Sequence, residues 1–107
     1  SDKTVLAIAS AGKEVVFTQP VTLPAGSKAR LRIKAGYVAN EAWKLKITAG
    51  EKTLLDAVIG GGPQAGWQRF ELELAPIAGQ TNTLEMTATT PDEKPRKIMF
   101  KRLVVAP

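Results

Sequence analysis

The sequence predicts an all-β domain, an antiparallel sandwich or barrel of about eight strands. Three observations carry that expectation. Apolar and polar residues alternate with period two through much of the chain. Clusters of glycine and proline interrupt the alternation at intervals of roughly a dozen residues. No stretch repeats its apolar residues with the 3.6-residue period of an amphipathic helix of useful length. With 107 residues, 44% apolar and 23% charged, the chain is of single-domain size and can fill one core.

Four segments alternate cleanly. In 29–35, Ala29, Leu31, Ile33 and Ala35 share one side and Arg30, Arg32 and Lys34 the other. In 43–49, Trp43, Leu45, Ile47 and Ala49 alternate with Lys44, Lys46 and Thr48. In 68–74, Phe70, Leu72 and Leu74 alternate with Arg69, Glu71 and Glu73. In 83–89, Leu84, Met86 and Ala88 alternate with Glu85, Thr87 and Thr89. Each pattern describes a strand with one buried and one wet face. Less regular strands are expected at 4–9, 14–23, 53–59 and 97–105, with Pro20 breaking the second or placing it at a sheet edge. Phe100, Leu103 and Val105 share no period-two face, which predicts a bulge in the last strand. A single helical turn is expected near 75–80.

The chemistry available to the chain is narrow. Cysteine and histidine are absent, which removes disulfides, Cys/His zinc sites, thiol nucleophiles and imidazole acid–base catalysis. The chain is not expected to be an enzyme, and no catalytic residue is assigned. No run of 18 apolar residues exists, so no membrane helix is expected. The start, Ser1-Asp2-Lys3, lacks Met and any signal-like apolar stretch, as expected of a chain processed or cut from something larger. Zero cysteine suits a cytosolic and a bacterial secreted protein equally.

Loop parity locates a candidate site. If each strand crosses the domain once, connections alternate between its two ends. One end collects 10–13, 36–42, 60–66 and 90–96; the other collects 24–28, 50–52 and 75–82. The first end holds the long, irregular loops, and long loops on a rigid scaffold are where binding usually resides.

Several segments then suggest a family. Leu23-Pro24-Ala25-Gly26-Ser27 leads into the strand 29–36, Gly66-Trp67 precedes Phe70-Glu71-Leu72-Glu73-Leu74, and Ile77-Ala78-Gly79-Gln80-Thr81 leads into Thr83-Leu84-Glu85-Met86. Together they resemble the galactose-binding-domain-like jelly rolls, the superfamily of many carbohydrate-binding modules. The resemblance runs from about residue 14 to the end and describes scaffold rather than ligand contacts. Ile77 stands where the family's turn often has Tyr, Glu73 where Asp is usual, and Met99-Phe100 where many relatives have Trp. The resemblance implies a jelly-roll β-sandwich, a single module of a larger protein, and an extracellular or periplasmic location beside a polysaccharide-active enzyme.

Candidate ligand residues follow from the loop-rich end. Tyr37 lies in its longest polar loop and Trp67 is out of phase with the apolar side of its strand. Either ring could stack on the C–H face of a sugar. Trp67 has a second reading, favoured by the resemblance, as a plug in the mouth of the sandwich. Asn40, Glu41, Gln64 and Gln68 supply amide and carboxylate groups suited to sugar hydroxyls. Trp43, in phase with Leu45 and Ile47, is expected to cap the core.

The charges divide into structural and unassigned sets. Fifteen Lys and Arg against ten Asp and Glu give a formal charge of +5. Arg30, Arg32 and Lys34 form a positive stripe and Glu71 and Glu73 a negative one. On strands that the resemblance makes neighbours, they would pair across the ladder. Lys44 and Lys46 have no obvious acidic partner in sequence, and with Lys97 and Lys101 they could form a basic patch for anionic polymers. No metal or other cofactor is indicated. Asp92 and Glu93 offer too few oxygens for a carboxylate-rich calcium loop, although a structural calcium on backbone oxygens stays open. Gly60-Gly61-Gly62-Pro63 lacks the phosphate-loop pattern and reads as a flexible hairpin or lid.

The expected function is a non-catalytic carbohydrate-binding module that targets an attached enzyme to an oligo- or polysaccharide. The alternatives are a structural or protein-interaction sandwich without a sugar ligand, and anionic-polymer binding through the lysines. Nucleic acid is disfavoured, because no aromatic series is interleaved with the basic residues.

Overall fold

The computed structural model describes residues 3–9, 14–79, 81–90 and 96–105; within the first and last of these segments, only Ile98 is described beyond its backbone. The strands are β1 (Lys3–Ala9), β2 (Glu14–Thr22), β3 (Arg30–Tyr37), β4 (Ala42–Ala49), β5 (Lys52–Gly60), β6 (Gly66–Glu73), β7 (Thr81–Thr89) and β8 (Arg96–Val105). A 3₁₀ turn, Ala75–Ile77, lies between β6 and β7, within the segment where the sequence predicts a helical turn. The fold is therefore all-β, and every strand pair is antiparallel.

The strands form two four-stranded sheets. Sheet A has the order β1-β8-β3-β6 and sheet B the order β2-β7-β4-β5. Among the described residues, only the β4–β5 connection is a hairpin within one sheet; Gly50, at φ 58, takes the left-handed conformation at the first position of its two-residue loop. The other connections pass from one sheet to the other. Backbone hydrogen bonds place four of the described connections at the ends that parity expects. Asn40 and Gly61 bond across the 38–41 and 61–65 connections, while Leu74 donates to Ala29 and Gly79 to Leu23 at the far end.

Packing follows the period-two pattern. Leu31, Ile33, Ala35, Trp43, Leu45, Ile47, Leu84, Met86 and Ala88 are buried in one cluster that draws on both sheets. Phe70 and Leu72 point the same way but stay half-buried, because β6 is a sheet edge with a neighbour on one side only. Strand β2 is also an edge, which lets it run through Pro20 without losing a ladder donor on a central strand.

Two local expectations need correction. The ladders from β8 to β1 and β3 run without a shift in register, so the predicted bulge is not in β8. Its apolar residues fall on both register classes because Leu103 stands opposite Arg32 and Phe100 opposite Ala35. The irregularity lies instead between Ile47 and Thr48 of β4, where β5 carries the extra residue. Likewise, 61–65 is not a hairpin: β5 and β6 belong to different sheets, so this segment is a crossover.

Candidate functional site

The loop-rich end is built around Tyr37. This residue closes β3, and its half-buried ring lies against two glycines that begin and end the crossover. A methyl group on Gly60 would lie 2.7 Å from the Tyr37 Cβ, and one on Gly66 would lie 2.8 Å from its hydroxyl oxygen. At Gly60 the contact is with the base of the side chain and only glycine leaves room for it, whereas at Gly66 it is with the outer end of the ring. The crossover is also tied by hydrogen bonds. The Gly60 N–H donates to Gln68 Oε1 at 2.6 Å, and Gln68 Nε2 donates to the Val58 carbonyl at 3.3 Å. From the other side, the Asn40 N–H donates to the Gly62 carbonyl at 2.8 Å, and the Gly61 N–H donates to the Glu41 carbonyl at 3.0 Å. Asn40 adopts φ 62, a left-handed conformation that asparagine tolerates better than most residues. The triple-glycine segment is thus a tethered connection rather than a free lid.

A shallow cavity of about 280 Å³ opens here, lined by Tyr37, Gly60, Gly62, Pro63, Gln64 and Gln68. The structure therefore brings together three of the sequence-predicted residues: Tyr37, Gln64 and Gln68. Their roles differ. Gln68 commits both ends of its amide to β5, whereas Gln64 is exposed on the crossover. Asn40 and Glu41 adjoin the site through their backbones but do not line the cavity.

Trp67 lies elsewhere. It occupies the outward side of edge strand β6, opposite Gly36 of β3, and is 44% exposed. It does not plug the sandwich mouth as the resemblance implied. Trp43 does take the scaffold role: it is 1% exposed, and its Nε1 donates to the Gly36 carbonyl at 3.0 Å. That bond joins sheet B to sheet A within the core.

The basic patch expected of Lys44, Lys46, Lys97 and Lys101 does not assemble. Lys44 and Lys46 are on β4 of sheet B, whereas Lys97 and Lys101 are on β8 of sheet A. Two packed sheets stand about 10 Å apart, so lysines directed outward from β4 move away from β8. Lys46 also has a carboxylate opposite it, Asp56 of β5, which sequence alone did not pair with it. Asp92 and Glu93 lie outside the described residues, as do the 10–13 connection and 91–95.

The positive and negative stripes do meet. Strands β3 and β6 pair, with Arg30 opposite Glu73 and Arg32 opposite Glu71. The closest contact is diagonal: Arg30 Nη1 lies 2.8 Å from Glu71 Oε1, and Arg32 Nε lies 3.8 Å from Glu71 Oε2. The hydrogen bond from Arg30 is the main cause holding the Glu71 carboxyl below its ordinary value, and the same bond raises the Arg30 guanidinium. Because the folded-state value of Glu71 is lowered, its contribution is complete above the ordinary carboxylate range. It is lost as pH falls through the lowered value. Melting curves of the protein and of Glu71→Gln should therefore differ at neutral pH and converge in acid. A difference unchanged down to full protonation would contradict this.

One further arrangement went unread in sequence. In the same ladder, Lys34 stands opposite Arg69. A groove of about 520 Å³ follows this part of the β3–β6 pair, lined by Arg32, Ile33, Lys34, Arg69, Phe70 and Glu71. Its signal was present: once Glu71 is set opposite Arg32, an antiparallel ladder must bring Arg69 opposite Lys34. No protein-family model matches the chain, and no curated protein matches it.

Proposed function

We propose that this chain is a non-catalytic carbohydrate-binding module with a jelly-roll topology. The strand order, β1-β8-β3-β6 over β2-β7-β4-β5, supports the topology, because two interleaved Greek keys would produce that order. The observation that carries the function is the contrast between the two tryptophans. Trp43 is spent on the core, while Trp67 exposes 44% of its surface on a sheet face beside the loop-rich end. A flat indole held on a rigid strand can stack on a sugar ring at low entropic cost. The cavity beside Tyr37, with Gln64 at its rim, supplies a second place for hydroxyl contacts. In this reading the module holds an attached, secreted enzyme near its polysaccharide and raises the effective concentration of substrate.

The protein-interaction reading gains less. It calls for a broad apolar face. Among the described residues, the other exposed large hydrophobics are Val16 and Val58, on the two opposite edge strands of sheet B.

A glycan-array screen with tryptophan fluorescence tests the proposal. Binding should perturb the emission of exposed Trp67, and Trp67→Ala should abolish it. Because Trp67 is 44% exposed and partly packed, a melting curve of that variant should accompany the binding assay to show that it stays folded. Absence of binding to any glycan, or binding undiminished in Trp67→Ala, would overturn the stacking site.

A further inference from the structure

The ladders of sheet A oppose like charges in register. Lys34 of β3 stands opposite Arg69 of β6 and, in its other ladder, opposite Lys101 of β8. With neighbouring strands about 4.8 Å apart, these backbone positions form a line of roughly 10 Å across the sheet. Like charges set directly opposite weaken an antiparallel ladder. The next outward pair of the β3–β6 ladder avoids that cost by setting Glu71 against Arg32.

Lys34 and Arg69 are exposed, and among the described residues no salt bridge joins either of them to a carboxylate. The one acidic residue lining their groove, Glu71, is already held by Arg30 at 2.8 Å. The groove thus presents Lys34 and Arg69 as its cations, while its carboxylate, Glu71, is held by Arg30 at 2.8 Å and approached by Arg32 at 3.8 Å. Trp67 precedes Arg69 by two residues, which places it on the same side of β6 about 6.8 Å along the strand.

We infer that this face binds an acidic polysaccharide. Carboxylate or sulfate groups of the polymer sit on Lys34 and Arg69, and a neighbouring sugar ring stacks on Trp67. The inference rests on the carbohydrate-binding reading and adds to it the chemical class of the ligand. Charge complementarity selects an anionic occupant. The pairing of the cations with a lone exposed indole, among the described residues, favours a glycan over a single-stranded nucleic acid, which needs a series of stacking rings.

Lys34→Glu separates function from folding. It replaces a repulsive pair with a complementary one, so its melting temperature should equal or exceed that of the parent. Its affinity for polygalacturonate and for dextran sulfate should nevertheless fall by about tenfold or more, as should that of the parent between about 0.05 and 0.5 M salt. Arg69→Glu should behave in the same way, and binding to a neutral galactan should be unaffected by either change. Loss on only one of the two acidic polymers assigns the site to carboxylate or to sulfate and upholds it. Acidic-polymer binding that ignores both charge reversals overturns this inference, as does tighter binding to single-stranded DNA than to either acidic glycan. Neutral-glycan binding that depends on Trp67 would then still uphold the carbohydrate reading, whereas binding to no glycan at all overturns both.

Discussion

Gly60→Ala is expected to destabilise the protein by about 3–5 kcal/mol, through backbone strain and overpacking together. Gly60 has φ +76, a conformation that L side chains rarely adopt. Its added methyl would lie 2.7 Å from the Glu41 carbonyl oxygen, 2.7 Å from the Tyr37 Cβ and 2.8 Å from the Tyr37 Cγ. None of these is the end of a flexible side chain, so relief requires the 38–41 loop or β3 to move. The next two glycines serve as controls. Gly61→Ala meets only the Ala42 Cβ, at 3.4 Å, and pays for its φ of +101 alone, while Gly62→Ala meets nothing within 4 Å. Urea denaturation should rank the losses Gly60, Gly61, Gly62. Equal, small losses at all three positions would mean that Tyr37 does not pack across the crossover.

Trp43→Ala should cost a similar amount, about 3–5 kcal/mol, because it removes one of the largest side chains from the core. Trp43→Phe combines the loss of the indole donor with a smaller loss of core volume. It keeps an aromatic ring but removes the indole N–H that donates to the Gly36 carbonyl inside the core. A typical intramolecular hydrogen bond contributes about 0.5–1.5 kcal/mol. Differential scanning calorimetry should therefore place Trp43→Phe between the parent and Trp43→Ala. A Phe variant as stable as the parent would show that the inter-sheet hydrogen bond contributes nothing.

These two residues also show how far the sequence could be read. The burial of Trp43 was legible because it shares a period with Leu45 and Ile47. Its hydrogen bond was not, because nothing local relates residue 43 to the carbonyl of residue 36 across two sheets. The need for glycine at 60 was visible as a turn signal, but not as a seat for an aromatic ring. Gln64 and Gln68 looked alike as candidate sugar contacts. Only the crossover geometry shows that the amide of Gln68 is committed to Gly60 and Val58.

The charged candidates divide in the same way. The stripes Arg30-Arg32-Lys34 and Glu71-Glu73 were legible as faces of strands, since alternation sets which side chains share a side. The pairing of Lys46 with Asp56 and the separation of Lys44 and Lys46 from Lys97 and Lys101 were not. Each depends on which strands are neighbours and in which sheet they lie.

By itself, then, the sequence determined the all-β class, the approximate span of each strand, the 3₁₀ turn after β6 and the inward residues of the clean strands. These are local properties, set by side-chain alternation and by the backbone preferences of glycine and proline over a few residues. The tertiary structure alone decided the sheet order, the edge status that leaves Phe70 and Leu72 half-buried, the exposure of Trp67 and the line of opposed cations. These depend on contacts between residues far apart in the chain. Period two says which way a side chain points, but only the partner strand determines what it meets.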